Sequence, residues 1–352
     1  MEEIRERAKG LNEGTFVQEA RYCLLCGSEG MFLYRHLRDR HFSVPGIWAL
    51  MRCPKCRLVW LNPRPIPKAI GRLYEHYFTH ENSHSIVGAT SLRSIVRNTI
   101  LGANLGYKDL VREPWKKHMG KVLSWIKPIR EMAEYSVMTL EASEKGKLLD
   151  IGCGSGQFLA KMKDLGWEVT GVEPDKQAVK VARERFGLCV RQGMLEDHGF
   201  PNDTFQAITM NHVIEHLCDP IGTLQECERL LRPNGKLIIV TPNIESLESR
   251  LSGKTWLHLD PPRHLYLFSP RTLFACAERA KLRILVLKTT ARTARGVYVA
   301  SDMIRRHGVL PGASPQKVGL WLQLKGLTFQ AVEHGLCYLT GIGEELVLIA
   351  TR

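Results

Sequence analysis

Leu148-Leu149-Asp150-Ile151-Gly152-Cys153-Gly154-Ser155-Gly156-Gln157-Phe158 decides the fold. A short apolar run ends in three glycines at alternate positions and passes into a helical pattern. Glycines in that place let a strand turn sharply into a helix, and they let backbone amides approach a ligand with no Cβ in the way. Asp150 stands two residues before the first glycine, where a carboxylate can meet an ammonium group or accept loop amides. Glu173, seventeen residues past Gly156, closes the next apolar stretch. In βαβ nucleotide sites an acid there accepts the ribose hydroxyls. The dinucleotide fingerprint G-x-G-x-x-G is not met, because Gln157 occupies the place of its third glycine.

Outward from this turn, short apolar strands alternate with helical stretches. The spacing predicts strands over Lys147–Ile151, Glu168–Glu173, Leu188–Val190, Phe205–Met210, Lys236–Thr241, Arg283–Thr289 and Glu344–Ala350. Helices are expected after the glycine turn, over Asp175–Phe186, Asp219–Arg232 and Pro270–Lys281, and in a partly apolar insertion at about 296–340. Such alternation is the signature of an α/β fold with a parallel, Rossmann-like sheet.

The stretch from 147 to about 290 resembles a class I S-adenosylmethionine-dependent methyltransferase. The resemblance rests on the Asp150 glycine loop, Gly171-Val172-Glu173-Pro174, Phe205-Gln206-Ala207-Ile208-Thr209-Met210 and Val213-Ile214-Glu215-His216-Leu217. It rests also on Glu228-Arg229-Leu230-Leu231-Arg232-Pro233-Asn234-Gly235-Lys236-Leu237 and Thr241-Pro242-Asn243. The resemblance implies that Asp150, Gly152, Cys153, Gly154 and Gly156 hold the methionine portion of S-adenosylmethionine and that Glu173 holds its ribose. It places Leu195, Glu196 and Asn211 among the cofactor-binding candidates. The family often has Asp at the positions of Gln206 and Met194, so here Leu195 or Glu196 would border the adenine.

Two Cys-x-x-Cys pairs, Cys23-Leu24-Leu25-Cys26 and Cys53-Pro54-Lys55-Cys56, stand 26 residues apart near the start. Four thiolates in two knuckles suit a closed, structural Zn²⁺ site rather than an acid–base one. The six other cysteines are isolated in mostly apolar surroundings and are expected to pack. The pairs run into Trp60-Leu61-Asn62-Pro63-Arg64-Pro65, an arrangement similar to bacterial sugar, glycan and natural-product methyltransferases with an N-terminal zinc ribbon. Three regions follow: a zinc ribbon over 1–68, a helical lid or linker over 69–145 broken near Gly106, Pro114 and Pro128, and a methyltransferase domain over 146–352.

Methyl transfer needs an aligned acceptor in a water-poor site, with its proton removed where necessary. The proline-stiffened stretch Leu257-His258-Leu259-Asp260-Pro261-Pro262-Arg263-His264-Leu265-Tyr266-Leu267-Phe268-Ser269 is dense in groups that could do this. It resembles the His-Glu-His-Leu-x-Tyr-Phe-Ser loop of zinc-containing sugar C-methyltransferases, whose second His is a proposed base, and His264 matches that His. Pro262, Arg263 and Leu267 depart from that pattern. His264, His216 and Arg263 are the catalytic candidates; Arg263 would meet a substrate anion or pair with Asp260.

Across all 352 residues, 44% apolar and 24% charged side chains exclude disorder as the overall class. Ten cysteines are too few for a disulfide scaffold. There is no apolar run of the roughly 18 residues that a membrane span needs. Met1-Glu2-Glu3-Ile4-Arg5 carries no signal-peptide core, so a cytoplasmic protein is expected. The formal charge is +13. Residues 1–146 hold 23 basic and 15 acidic side chains, residues 147–290 hold 19 and 17, and the rest hold 7 and 4. The surplus therefore lies on the attachments and points to an anionic or lipid-linked small-molecule acceptor, or to peripheral contact with a membrane. RNA methylation through the basic zinc region is the alternative, but no Pro-Pro-aromatic motif follows Asn211 and no aromatic-interleaved basic strip is present. A non-enzymatic cofactor-binding scaffold is a third reading.

Overall fold

The computed structural model describes residues 17–42, 44–66, 73, 91–310 and 318–352. The polar start, Pro67 and the stretch 74–90 read as part of the helical linker lie outside the described residues. So does 311–317 within the helical insertion. Strand β1 (Val17–Gln18) is followed by β2 (Met31–Leu37), β3 (Trp48–Arg52), β4 (Val59–Leu61) and β5 (Arg64–Pro65). β1 and β5 pair antiparallel, and β2, β3 and β4 form an antiparallel meander. Trp48, Leu50, Trp60 and Leu61 are buried and give this small element its apolar centre. The two knuckles turn alike: Gly27 N–H donates to Cys23 O at 2.9 Å and Arg57 N–H to Cys53 O at 3.1 Å.

Three helices come next. Helix α1 (Leu92–Asn104) is capped by Ser91, whose hydroxyl accepts the Ser94 amide at 3.2 Å. Helices α2 (Pro114–Leu123) and α3 (Lys127–Tyr135) each carry proline in the first turn, where the missing N–H is not needed. The prolines expected to break helices thus begin them.

The α/β part opens with β6 (Lys147–Ile151), α4 (Gln157–Asp164), β7 (Glu168–Glu173), α5 (Lys176–Phe186) and β8 (Val190–Gln192). It continues through β9 (Phe205–Asn211), α6 (Pro220–Leu230), β10 (Leu231–Pro242), α7 (Leu247–Ser252), β11 (Tyr266–Leu267), α8 (Pro270–Arg279) and β12 (Arg283–Thr290). It ends with α9 (Ala294–His307), α10 (Leu320–Thr340) and β13 (Glu345–Thr351). Seven strands lie in the order β12-β13-β10-β9-β6-β7-β8. β6, β7 and β8 pair parallel, with Ile151 opposite Val172, and β12 and β13 pair antiparallel. Leu148, Leu149, Ala207, Ile208, Leu237, Ile239 and Leu348 are fully buried in these strands.

Two boundaries differ from the sequence reading. The third strand forms two residues later, at Val190–Gln192. The fifth begins five residues earlier, because the Pro233-Asn234-Gly235 turn is absorbed into β10 with Asn234 at φ +64°. Among the described residues the chain divides into two compact units. One is drawn from 1–78, 210–228 and 239–351, the other from 79–209, 229–238 and 352.

Candidate active site

In the second unit, the chain leaves β6 through Gly152, Gly154 and Gly156, all at positive φ (+68°, +52° and +82°). A side chain at Gly156 would put its Cβ 2.6 Å from Leu188 Cδ1, so glycine there permits both the turn and the packing of α4. The Gly152 amide donates to Val172 O at 2.8 Å, which ties the turn to β7. Asp150 is buried beneath the turn, and the Thr209 hydroxyl donates to its Oδ1 at 2.7 Å. Burial pushes its pKa up to about 7 even against that hydrogen bond. Among the described residues no cation pairs with the carboxylate, and an ammonium group would supply one.

Glu173, also buried, closes β7 as expected. Its Oε2 accepts the Gly154 amide at 2.8 Å and its Oε1 the Asp175 amide at 2.9 Å. Asp175 in turn caps α5 by accepting the Gln177 amide. After β8, Leu195 is buried and Glu196 is exposed, and Asp197 Oδ2 accepts the Met194 amide at 2.8 Å. Leu195 therefore offers an apolar surface rather than a polar contact. Cys153 is buried in the turn. The chain's own residues thus fit S-adenosylmethionine at both its charged and its ribose ends.

In the first unit, β9 ends at the exposed Asn211, and His212 follows at φ +56°, a strained value for a non-glycine residue. His212 lies between two buried carboxylates, with Nε2 2.9 Å from Glu345 Oε1 and Nδ1 3.3 Å from Glu215 Oε1. Burial opposes its charging, but the two carboxylates prevail and raise its pKa to about 10. Burial likewise opposes ionisation of Glu215, yet His212 and the neighbouring rings hold its pKa down to about 2. Glu215 Oε2 also accepts the Thr241 hydroxyl at 2.9 Å.

His216 and His264 meet edge to face, ring centres 4.6 Å apart. His216 Nδ1 donates to Arg263 O at 3.1 Å and His264 Nδ1 to His258 O at 2.7 Å. A carbonyl only accepts, so each Nδ1 carries a proton. Burial, with His216 next to it, lowers the His264 pKa to about 4, so the ring is neutral near pH 7. Donor atoms of Glu215, His216 and His264 all lie within 4.8 Å of one another. His258 stacks on His264 at 6.2 Å, completing a train of rings that sequence spacing did not reveal.

Arg263 takes the second of its two expected alternatives. Its guanidinium is buried, bonds Asp39 at 2.9 and 2.8 Å in bidentate fashion, and meets Asp260 through Nε at 3.0 Å. Both carboxylates outweigh burial and raise its pKa. Asp39 also accepts the amides of His41, Phe42 and Val44. No sequence signal marked Asp39, which is 224 positions from Arg263. Alongside, β11 pairs antiparallel with β4, Tyr266 opposite Trp60, and the Arg64 guanidinium donates to the Tyr266 hydroxyl at 2.7 Å. β11 thus joins β4, β3 and β2 in one sheet.

Cys23, Cys26, Cys53 and Cys56 bring their sulfurs together. Cys23 to Cys56 and Cys26 to Cys53 are both 3.3 Å, and Cys26 to Cys56 is 3.9 Å. Thiolates about 2.3 Å from a tetrahedral Zn²⁺ are about 3.8 Å apart, so the four could hold one ion with small adjustment. Of the six isolated cysteines, Cys153, Cys227, Cys276 and Cys337 are buried as expected, whereas Cys189 is exposed.

A buried carboxylate under a three-glycine turn, with a second at the end of the next strand, defines the cofactor end of the class I S-adenosylmethionine-dependent methyltransferases. Residues 123–287 match the family model described as a methyltransferase domain. A ubiquinone biosynthesis O-methyltransferase of Alkalilimnicola ehrlichii is 33% identical over 143 residues, 38% of this chain and 57% of that protein. One of Cereibacter sphaeroides is 33% identical over 118 residues, 32% of this chain and 48% of that protein. The chain thus spans about half the length of the curated relatives it matches. Among solved structures, a SAM-dependent methyltransferase from Archaeoglobus fulgidus is 20% identical with a TM-score of 0.43, covering 64% of this chain and 93% of that one.

Proposed function

We propose that the chain transfers a methyl group from S-adenosylmethionine to a hydroxyl oxygen of a small-molecule acceptor, such as a glycan, nucleotide-sugar or natural-product intermediate. The observation that carries the reading is the Asp150–glycine turn–Glu173 arrangement, which fits this cofactor at two ends. The oxygen acceptor is supported by the O-methyltransferase names of the relatives. The bound cofactor supplies an electrophilic methyl on a sulfonium sulfur. Asp150 takes the ammonium and Glu173 the ribose diol. His264 Nε2 would take the proton of the acceptor hydroxyl, whose oxygen would receive the methyl group that the cofactor supplies. The ionised Glu215 beside it would stabilise the imidazolium that results, and His258 O holds the ring's orientation.

The test is transfer of a labelled methyl group onto panels of nucleotide sugars, glycolipid precursors, phenolic natural products and RNA. Labelled small-molecule product bearing an O-methyl group is expected. His264→Ala should lower kcat by roughly 10²–10⁴-fold, the usual worth of a positioned base, with cofactor affinity kept. Product only from RNA, or full turnover in His264→Ala, would refute the reading.

A further inference from the structure

Helix α2 is fixed on α1 by one residue. A Cβ on Gly120 would stand 2.1 Å from Thr99 O, so only glycine allows this approach. The Ser124 hydroxyl locks the end of α2, donating to Gly120 O at 2.6 Å. With the Gly120 side committed to α1, the opposite side must face outward. At about 100° per residue, Trp115, His118 and Val122 fall within about 40° of the direction opposite Gly120, and Trp125 follows two residues past the helix end. They are exposed: Trp115 by 62%, Val122 by 51% and Trp125 by 87%. Ile126 (50%) and Met132 (64%) extend the apolar strip towards α3. Lys117 and Lys121, both exposed, lie along one side of it. Residues 91–132 hold nine Lys and Arg against three Asp and Glu.

Two tryptophans with a basic rim have a chemistry of their own. Indole rings favour the boundary between hydrocarbon and headgroups, and lysines beside them reach lipid phosphates while their stems lie on apolar surface. A second copy of the chain would bring the same basic rim against itself across a two-fold contact, which like charges oppose. We propose that this face of α2 and the start of α3 docks on an anionic bilayer surface, with Trp115, Val122 and Trp125 in the headgroup layer and Lys117 and Lys121 on lipid phosphates. The contact is peripheral: no helix among the described residues is long and apolar enough to cross a membrane. It is independent of the acceptor proposed above.

The experiment is co-sedimentation of the full chain with vesicles of phosphatidylcholine alone and of phosphatidylcholine mixed with phosphatidylglycerol. Binding to the mixed vesicles only is expected, weakening as salt is raised. The Trp115→Ala/Trp125→Ala double variant should partition roughly tenfold less, and Lys117→Glu/Lys121→Glu should lose the preference for phosphatidylglycerol. Both should bind S-adenosylmethionine as the parent does, which reports the fold. Trp125→Ala alone removes the most exposed of these side chains and serves if the double variant unfolds. Failure to bind the mixed vesicles at low salt would overturn the proposal, as would undiminished binding by the Trp variants. So would a dimer in analytical ultracentrifugation that the Trp variants dissolve, or binding to a random-sequence RNA without binding to vesicles.

Discussion

Asp150 is held under the glycine turn with one hydroxyl donor and no cation, and burial raises its pKa to about 7. A group whose folded pKa exceeds its unfolded value binds more protons when folded. Its contribution to stability is therefore present at low pH and lost as pH rises from about 4 through about 7. An ammonium ligand reverses that preference. Cofactor binding near pH 6 should release close to one proton, seen as a dependence of the calorimetric enthalpy on buffer ionisation heat. Thr209, the donor that fixes Asp150, reads in the sequence only as part of a strand motif. Its role depends on β9 lying beside β6, which local spacing does not state. The same holds for Asn211 and His212. The sequence placed them after the fourth strand, but not His212 at positive φ between Glu215 and Glu345. At His264 the lowered pKa means that charging the ring destabilises the fold, so stability should fall as pH drops from about 6.5 towards 4. His264→Gln should flatten that part of a denaturation profile.

Strands β6, β7 and β9 and helix α5 formed where apolar runs, glycine breaks and the Asp175 cap indicated, because each signal is local. The β4–β11 ladder was not legible. β11 is only two residues long, and its partner lies more than 200 positions away. That ladder, with the Arg263–Asp39 pair, makes the cysteine knuckles a foundation for the loop carrying His264. Removing Asp39 leaves a buried guanidinium with half its partners, so Asp39→Ala should cost about 3–5 kcal/mol in denaturant unfolding, and Asp39→Asn less. Metal analysis should find one Zn²⁺ per chain, absent after Cys26→Ser/Cys56→Ser. Chelation should lower turnover through the loop while leaving cofactor affinity at the separate glycine turn largely intact. Equal loss of both would place the metal's influence elsewhere.

Over the whole chain, the charge totals divide by function. Residues 147–290 are nearly balanced, at 19 basic and 17 acidic side chains. The excess before them includes the basic rim of α2. Composition indicated an anionic partner and left its place open; only the crossing of α1 and α2 at Gly120 shows which side chains face outward. The matched family model covers residues 123–287, and the cysteine knuckles lie outside it. Everything rests first on S-adenosylmethionine binding at the Asp150–Glu173 turn. Isothermal calorimetry with the parent, Asp150→Ala and Glu173→Ala chains measures it directly. One site per chain is expected in the parent. Each variant should bind roughly 10–100-fold more weakly, the worth of one charge-assisted hydrogen-bonding group. No binding by the folded parent, or the same affinity in all three, would contradict it.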